Sequence, residues 1–88
     1  MEITFDPAKN ARNIFERGLS FEMVAEMEWE RAIILEDMRK DYGERRFRVF
    51  GHIVGRLYVA VFTPRGDAIH VISLRKANSR EVNEYGNP

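Results

Sequence analysis

The chain has 88 residues, 44% of them hydrophobic and 32% charged, with no cysteine; this describes one small domain over residues 1–88, too short for two cores and too apolar for a disordered tail. Without cysteine, neither a disulfide framework nor a thiolate metal site can form. The net charge of zero hides a division: residues 1 to 44 carry 11 acidic and 6 basic side chains, a net of −5, and residues 45 to 88 carry 3 acidic and 8 basic, a net of +5.

Such asymmetry points either to a polyanion or acidic protein partner on the basic half, or to arginines that simply pair with the acidic half. The start, Met1-Glu-Ile-Thr-Phe-Asp6, is acidic and lacks the apolar run of a signal peptide, and no stretch approaches the roughly 18 apolar residues of a membrane span. The expectation is a cytoplasmic protein with no membrane association.

In chain order, Glu2 to Phe5 reads as a short first strand. Asp6-Pro7 then opens a helix, with a carboxylate to accept an orphan N–H and proline where a missing donor costs little. Ala8, Ala11, Ile14 and Phe15 share one face of it, and Gly18 stops it. Ser20 caps a second, shorter helix from about Phe21 to Met27. Arg31 to Glu36 is a β-type run, and the polar stretch Asp37 to Gly43 is too charged for a core element. Arg45 to Ile53 alternates, with Phe47, Val49 and Ile53 on one side and Arg46, Arg48 and His52 on the other. Val54-Gly55 predicts a tight hairpin into Leu57 to Phe62, a central strand. Thr63 to Asp67 predicts a second turn, Ile69 to Leu74 the last strand, and Asn78 with Glu81 a capping box for a final helix. Trp29 suits an anchor between helix and sheet. The fold class expected is α+β: two N-terminal helices, an antiparallel β-sheet meander and a short C-terminal helix.

The two histidines, His52 and His70, lack metal-ligand spacing, so neither a metal nor another cofactor is expected. No G-x-S-x-G elbow or phosphate-cradling glycine loop occurs. What remains is a set of cations, Arg45, Arg46, Arg48, Arg65, Arg75, Lys76 and Arg80, interleaved with Phe47, Tyr58 and Tyr85; these types suit backbone phosphate contacts and base stacking.

Phe5-Asp-Pro-Ala-Lys9 with Asn13, Gly18-Leu-Ser-Phe21, Gly43-Glu-Arg-Arg-Phe47 with Gly51, Leu57-Tyr-Val-Ala-Val-Phe-Thr63, and Ile72-Ser-Leu-Arg-Lys-Ala77 with Glu81 and Tyr85 together resemble the BrnT-type toxins, ribonuclease members of type II toxin-antitoxin pairs with a RelE-like fold. Two departures stand out: Glu16-Arg17 where the family usually has Lys-His, and His70 where it usually has Arg. The resemblance implies a metal-free interferase acting on single-stranded RNA, neutralised by a BrnA-like, DNA-binding antitoxin through which alone it would reach operator DNA. For such chemistry Arg75 and Arg46 are assigned to phosphate stabilisation with Arg65 and Lys76 assisting, and Arg45, Arg48 and Arg80 to substrate binding. His70 and Tyr85 are the candidate proton carriers, with an acidic residue such as Glu44 left open as base. Strand alternation sets Arg75 and His70 on opposite sides of their strand. The alternative is a non-catalytic protein- or nucleic-acid-binding module acting through the basic half.

Overall fold

A computed structural model describes residues 1–87. Its elements are β1 (Glu2–Phe5), α1 (Pro7–Arg17), two 3₁₀ segments (Phe21–Glu26 and Trp29–Arg31), β2 (Ile33–Glu36), β3 (Phe47–Ile53), β4 (Arg56–Arg65), β5 (Ala68–Lys76) and α2 (Ser79–Tyr85). The expected caps form: Asp6 accepts from the Ala8 N–H at 2.9 Å, Gly18 closes α1 in the left-handed conformation, and Asn78 and Glu81 make a reciprocal capping box on α2.

Two parts of the expected architecture are corrected. One α-helix, not two, precedes the sheet core, because the segment capped by Ser20 is 3₁₀. Its apolar residues explain the tighter winding. Phe21, Val24 and Met27 are all buried, and a spacing of three puts them in one line only at about three residues per turn. The sheet is also mixed rather than an antiparallel meander, with strand order β1-β5-β4-β3-β2. Strands β2 to β5 do meander, but β1 lies parallel to β5, from Glu2 beside Ala68 to Phe5 beside Val71. The first strand thus finds the last one, and α1 with all that follows forms the long connection a parallel pair requires.

The 3₁₀ segments cover one face of the sheet, here the inner face. Val49, Ile53, Tyr58, Ala60, Phe62, Val71 and Leu74 pack there against Leu19, Phe21, Val24 and Met27. Gly51 belongs to this face because a Cβ there would lie 2.5 Å from the Met27 Sδ. Trp29 does bridge segment and sheet, edge-on to Phe62 at 5.8 Å, with its Nε1 donating to the Val24 carbonyl at 3.1 Å. Phe47 and Tyr58, read as stacking aromatics, are inner-face residues: Phe47 stacks on Phe62 and Tyr58 is buried. The outer face carries a smaller cluster, Phe50, Leu57 and Val59, covered by Ala77 and Tyr85. Among the described residues no helix is long and apolar enough to cross a membrane.

The hairpin at Val54-Gly55 forms with positive φ at both residues, 47° and 78°, the backbone sense that matches strand twist in a two-residue turn. Val54 is the sole non-glycine in that region among the described residues, and its side chain is almost fully exposed. A β-branched residue is strained there, whereas asparagine tolerates it. Val54→Asn is therefore expected to stabilise the protein by about 1 kcal/mol, raising the thermal midpoint by roughly 4–8 °C; a lowered midpoint in calorimetry would contradict the strain argument.

Candidate active site

The β4–β5 ladder contains a register shift. Val61 pairs with Ser73, but Phe62 pairs with Val71, so Ile72 is passed over. Side chains of directly paired residues share a face. One extra residue therefore switches the alternation between the two ends of β5, and both Arg75, paired with Val59, and His70, paired with Thr63, emerge on the outer face. Lys76 stays on the inner parity with Leu74. Simple alternation had separated Arg75 from His70, and the bulge is the signal it lacked.

The candidate residues gather in two groups on that outer face. At one end are His70, Thr63 and Arg65, with Arg46 entering just before β3. Glu44 ties the two guanidiniums together: its carboxylate accepts from Arg46 Nε at 3.1 Å and lies 4.0 Å from Arg65 Nη2. Parallel pairing brings Thr4 beside His70, with 2.8 Å between Thr4 Oγ1 and His70 Nδ1. That contact engages Nδ1 and orients the imidazole. Burial, and next the positive charge of Arg65, push the His70 pKa below its usual 6.5, so the ring is neutral at neutral pH. Thr63 donates its hydroxyl to the Arg45 carbonyl at 2.8 Å, securing the strand that carries Arg46.

The segment supplying Glu44 is itself anchored. Asp37, with its side chain 1% exposed, accepts two bonds from Arg39 at 2.8 Å each and one from the Tyr42 hydroxyl at 3.1 Å. The Arg39 bonds hold the Asp37 carboxyl far below the ordinary carboxylate range. Tyr42 in turn lies under the Arg46 guanidinium, 4.2 Å from ring centroid to Cζ, a contact favourable for a cation. Arg45 faces away into a two-bond pair with Glu36.

The second group lies about 13 Å further along β3, the rise of four strand residues from Arg46 to Phe50. Here Arg75 makes a two-bond pair with Glu81 at 2.8 and 2.9 Å, holding the Glu81 carboxyl down at about 2. Tyr85 stacks on Phe50 with centroids 4.2 Å apart. Arg75 and Tyr85 thus fasten α2 to the sheet. Arg48 stands between the two groups, its guanidinium over the Phe50 ring at 5.8 Å and its Nε buried without a hydrogen-bond partner. Arg80 is exposed on α2.

Of the sequence candidates, the fold therefore brings together His70, Arg46 and Arg65; it sets Arg75 and Tyr85 apart with Arg48 between, and leaves Lys76 on the other side. Thr4 and Tyr42 were not singled out from sequence. Thr4 carried one signal, a hydroxyl between the apolar Ile3 and Phe5, but its partner is 66 residues away.

One comparison with known proteins gives a family. A family model described as the ribonuclease toxin BrnT of type II toxin-antitoxin systems matches residues 5–81, nearly the whole chain. No curated protein matches it at a significant level.

Proposed function

The chain belongs to the BrnT ribonuclease toxins of type II toxin-antitoxin systems, and from that premise we propose a metal-independent endoribonuclease that cleaves single-stranded RNA by 2′-hydroxyl attack and is neutralised by its antitoxin. The observation that carries the reading is the convergence of a neutral, oriented imidazole with two guanidiniums around Glu44 on the open sheet face. Attack by the 2′-hydroxyl requires a proton acceptor and stabilisation of added negative charge. His70 Nε2 accepts the proton, with Nδ1–H then donating to Thr4. Arg46 and Arg65 hold the charge on phosphorus, and water at this open face protonates the leaving 5′-oxygen. Glu44 keeps the guanidiniums together until a phosphate takes its place.

Arg48, standing between the two groups, offers its guanidinium to the next phosphate along the face. Arg75 and Tyr85 act through α2, closing the far end of the track. Operator DNA is reached through the antitoxin alone, which would be a DNA-binding protein.

Partner-free protein incubated with single-stranded RNA in EDTA is expected to leave products ending in 2′,3′-cyclic phosphate. Arg46→Ala should slow this by about 10²–10³-fold. Arg75→Ala should slow it less while lowering the thermal midpoint, because it unties α2. RNA left intact by folded wild-type protein would overturn the reading in favour of a non-catalytic binding module.

A further inference from the structure

Helix α1 is amphipathic in the reverse sense for a helix that lies on a sheet. At about 100° per residue, Asn10, Asn13 and Arg17 fall on one side, and that polar side meets the fold. Asn10 accepts from the Phe21 N–H at 2.8 Å, Asn13 donates to the Leu19 and Leu74 carbonyls at 2.9 and 3.0 Å, and Arg17 donates to Asn13 at 3.1 Å. Asn13 is the sole buried residue of the helix. The apolar stripe of Ala8, Ala11, Ile14 and Phe15 points away, with Ile14 45% and Phe15 90% exposed. Surface helices normally bury that stripe. A phenylalanine left open beside an isoleucine has no role within this chain.

We propose that the outward stripe of α1 is the docking site for an amphipathic helix of the antitoxin whose apolar residues are flanked by carboxylates; this rests on the toxin reading above. Charge selects that occupant. Although the first half of the chain is acidic, α1 turns Lys9 and Arg12 to solvent against Glu16, which pairs with Arg12 at 3.1 Å, while Arg17 lies on the side that meets the fold. A second copy of the same helix would set those cations against each other, whereas an acidic helix pairs with them while its apolar side covers Phe15. The helix begins at Pro7, three residues after Thr4, which contacts His70, so a partner lying along α1 has one end near the sheet edge that carries the imidazole.

The test titrates the purified cognate antitoxin into wild-type toxin and Phe15→Glu, with hydrogen exchange on the wild-type complex as a second readout. Phe15→Glu is expected to weaken the complex at least about tenfold, and Arg12→Glu to weaken it less and to reduce its salt dependence. Backbone amides of residues 8–17 should gain protection on binding. Three results would overturn the assignment: unchanged affinity of Phe15→Glu with no protection on α1; wild-type toxin that dimerises while Phe15→Glu does not; or wild-type binding to phosphatidylserine vesicles that Phe15→Glu abolishes. Cleavage is read separately on the same proteins. Phe15→Glu freed of antitoxin should cleave RNA as wild type does. Loss of cleavage in both would count against the catalytic reading while leaving the binding result to judge the surface.

Discussion

Replacing His70 by alanine is expected to slow RNA cleavage by about 10²–10⁴-fold, the range for loss of a positioned proton acceptor, with the fold intact. The side chain is partly exposed and its one described hydrogen bond goes to Thr4, itself on the surface, so little packing is lost. The pH profile gives the sharper test. Burial and Arg65 disfavour the protonated ring, so the base remains available somewhat below pH 6.5, and cleavage should fall only as acidification passes the lowered folded-state pKa. The same shift makes a stability contribution that is complete above the unfolded value near 6.5 and declines as pH falls below it, because the unfolded chain then binds the proton more readily. His70→Ala should abolish the acidic limb of the rate profile. His70→Arg separates charge from proton transfer: full cleavage by that variant would assign the position to phosphate binding and remove His70 as base.

The second large effect is on stability. Asn13→Ala is expected to cost on the order of 3 kcal/mol, a fall of roughly 12–24 °C in thermal midpoint for a domain of this size. Asn13 is 6% exposed, and its amide donates to two carbonyls on separate elements, Leu19 after α1 and Leu74 in β5. Alanine leaves both acceptors short of a partner away from water, apart from a long 3.5 Å contact from Arg17 to the Leu74 carbonyl, and it opens a space under the helix. Asn13→Asp should be no better, since a carboxylate cannot donate to either oxygen. A midpoint within about 3 °C of wild type, measured by calorimetry and converted at 4–8 °C per kcal/mol, would show that α1 is held by other contacts.

Both effects arise where local pattern and final structure part company. Periodicity placed Ala8, Ala11, Ile14 and Phe15 on one face of a helix, and they do share it; which way that face turns was set by three polar side chains that find hydrogen bonds only once β5 and the segment after Gly18 are in place. The division of charge was equally real, and part of it resolves as ion pairing. Glu36 and Glu44 from the acidic half neutralise Arg45, Arg46 and Arg65 from the basic half, so a basic sequence segment is not an equally basic surface. The cation set contained the candidate site, but included Lys76, which lies on the opposite parity, and Arg75, which is engaged with Glu81.

By itself the sequence determined what depends on neighbours along the chain. Caps at Asp6 and Asn78, the stop at Gly18, the hairpin at Val54-Gly55, the meander of β2 to β5 and the family's motifs all rest on residue types within a few positions of one another. Tertiary structure alone decided the parallel placement of β1 on β5, the bulge that brings His70 onto the face of Arg75, the 3₁₀ winding that aligns Phe21, Val24 and Met27, and the outward turn of the α1 stripe. The physical reason is common to all four. Each is fixed by burial or hydrogen bonding between segments distant in sequence, where satisfying the whole core outweighs the small preferences that any short stretch carries.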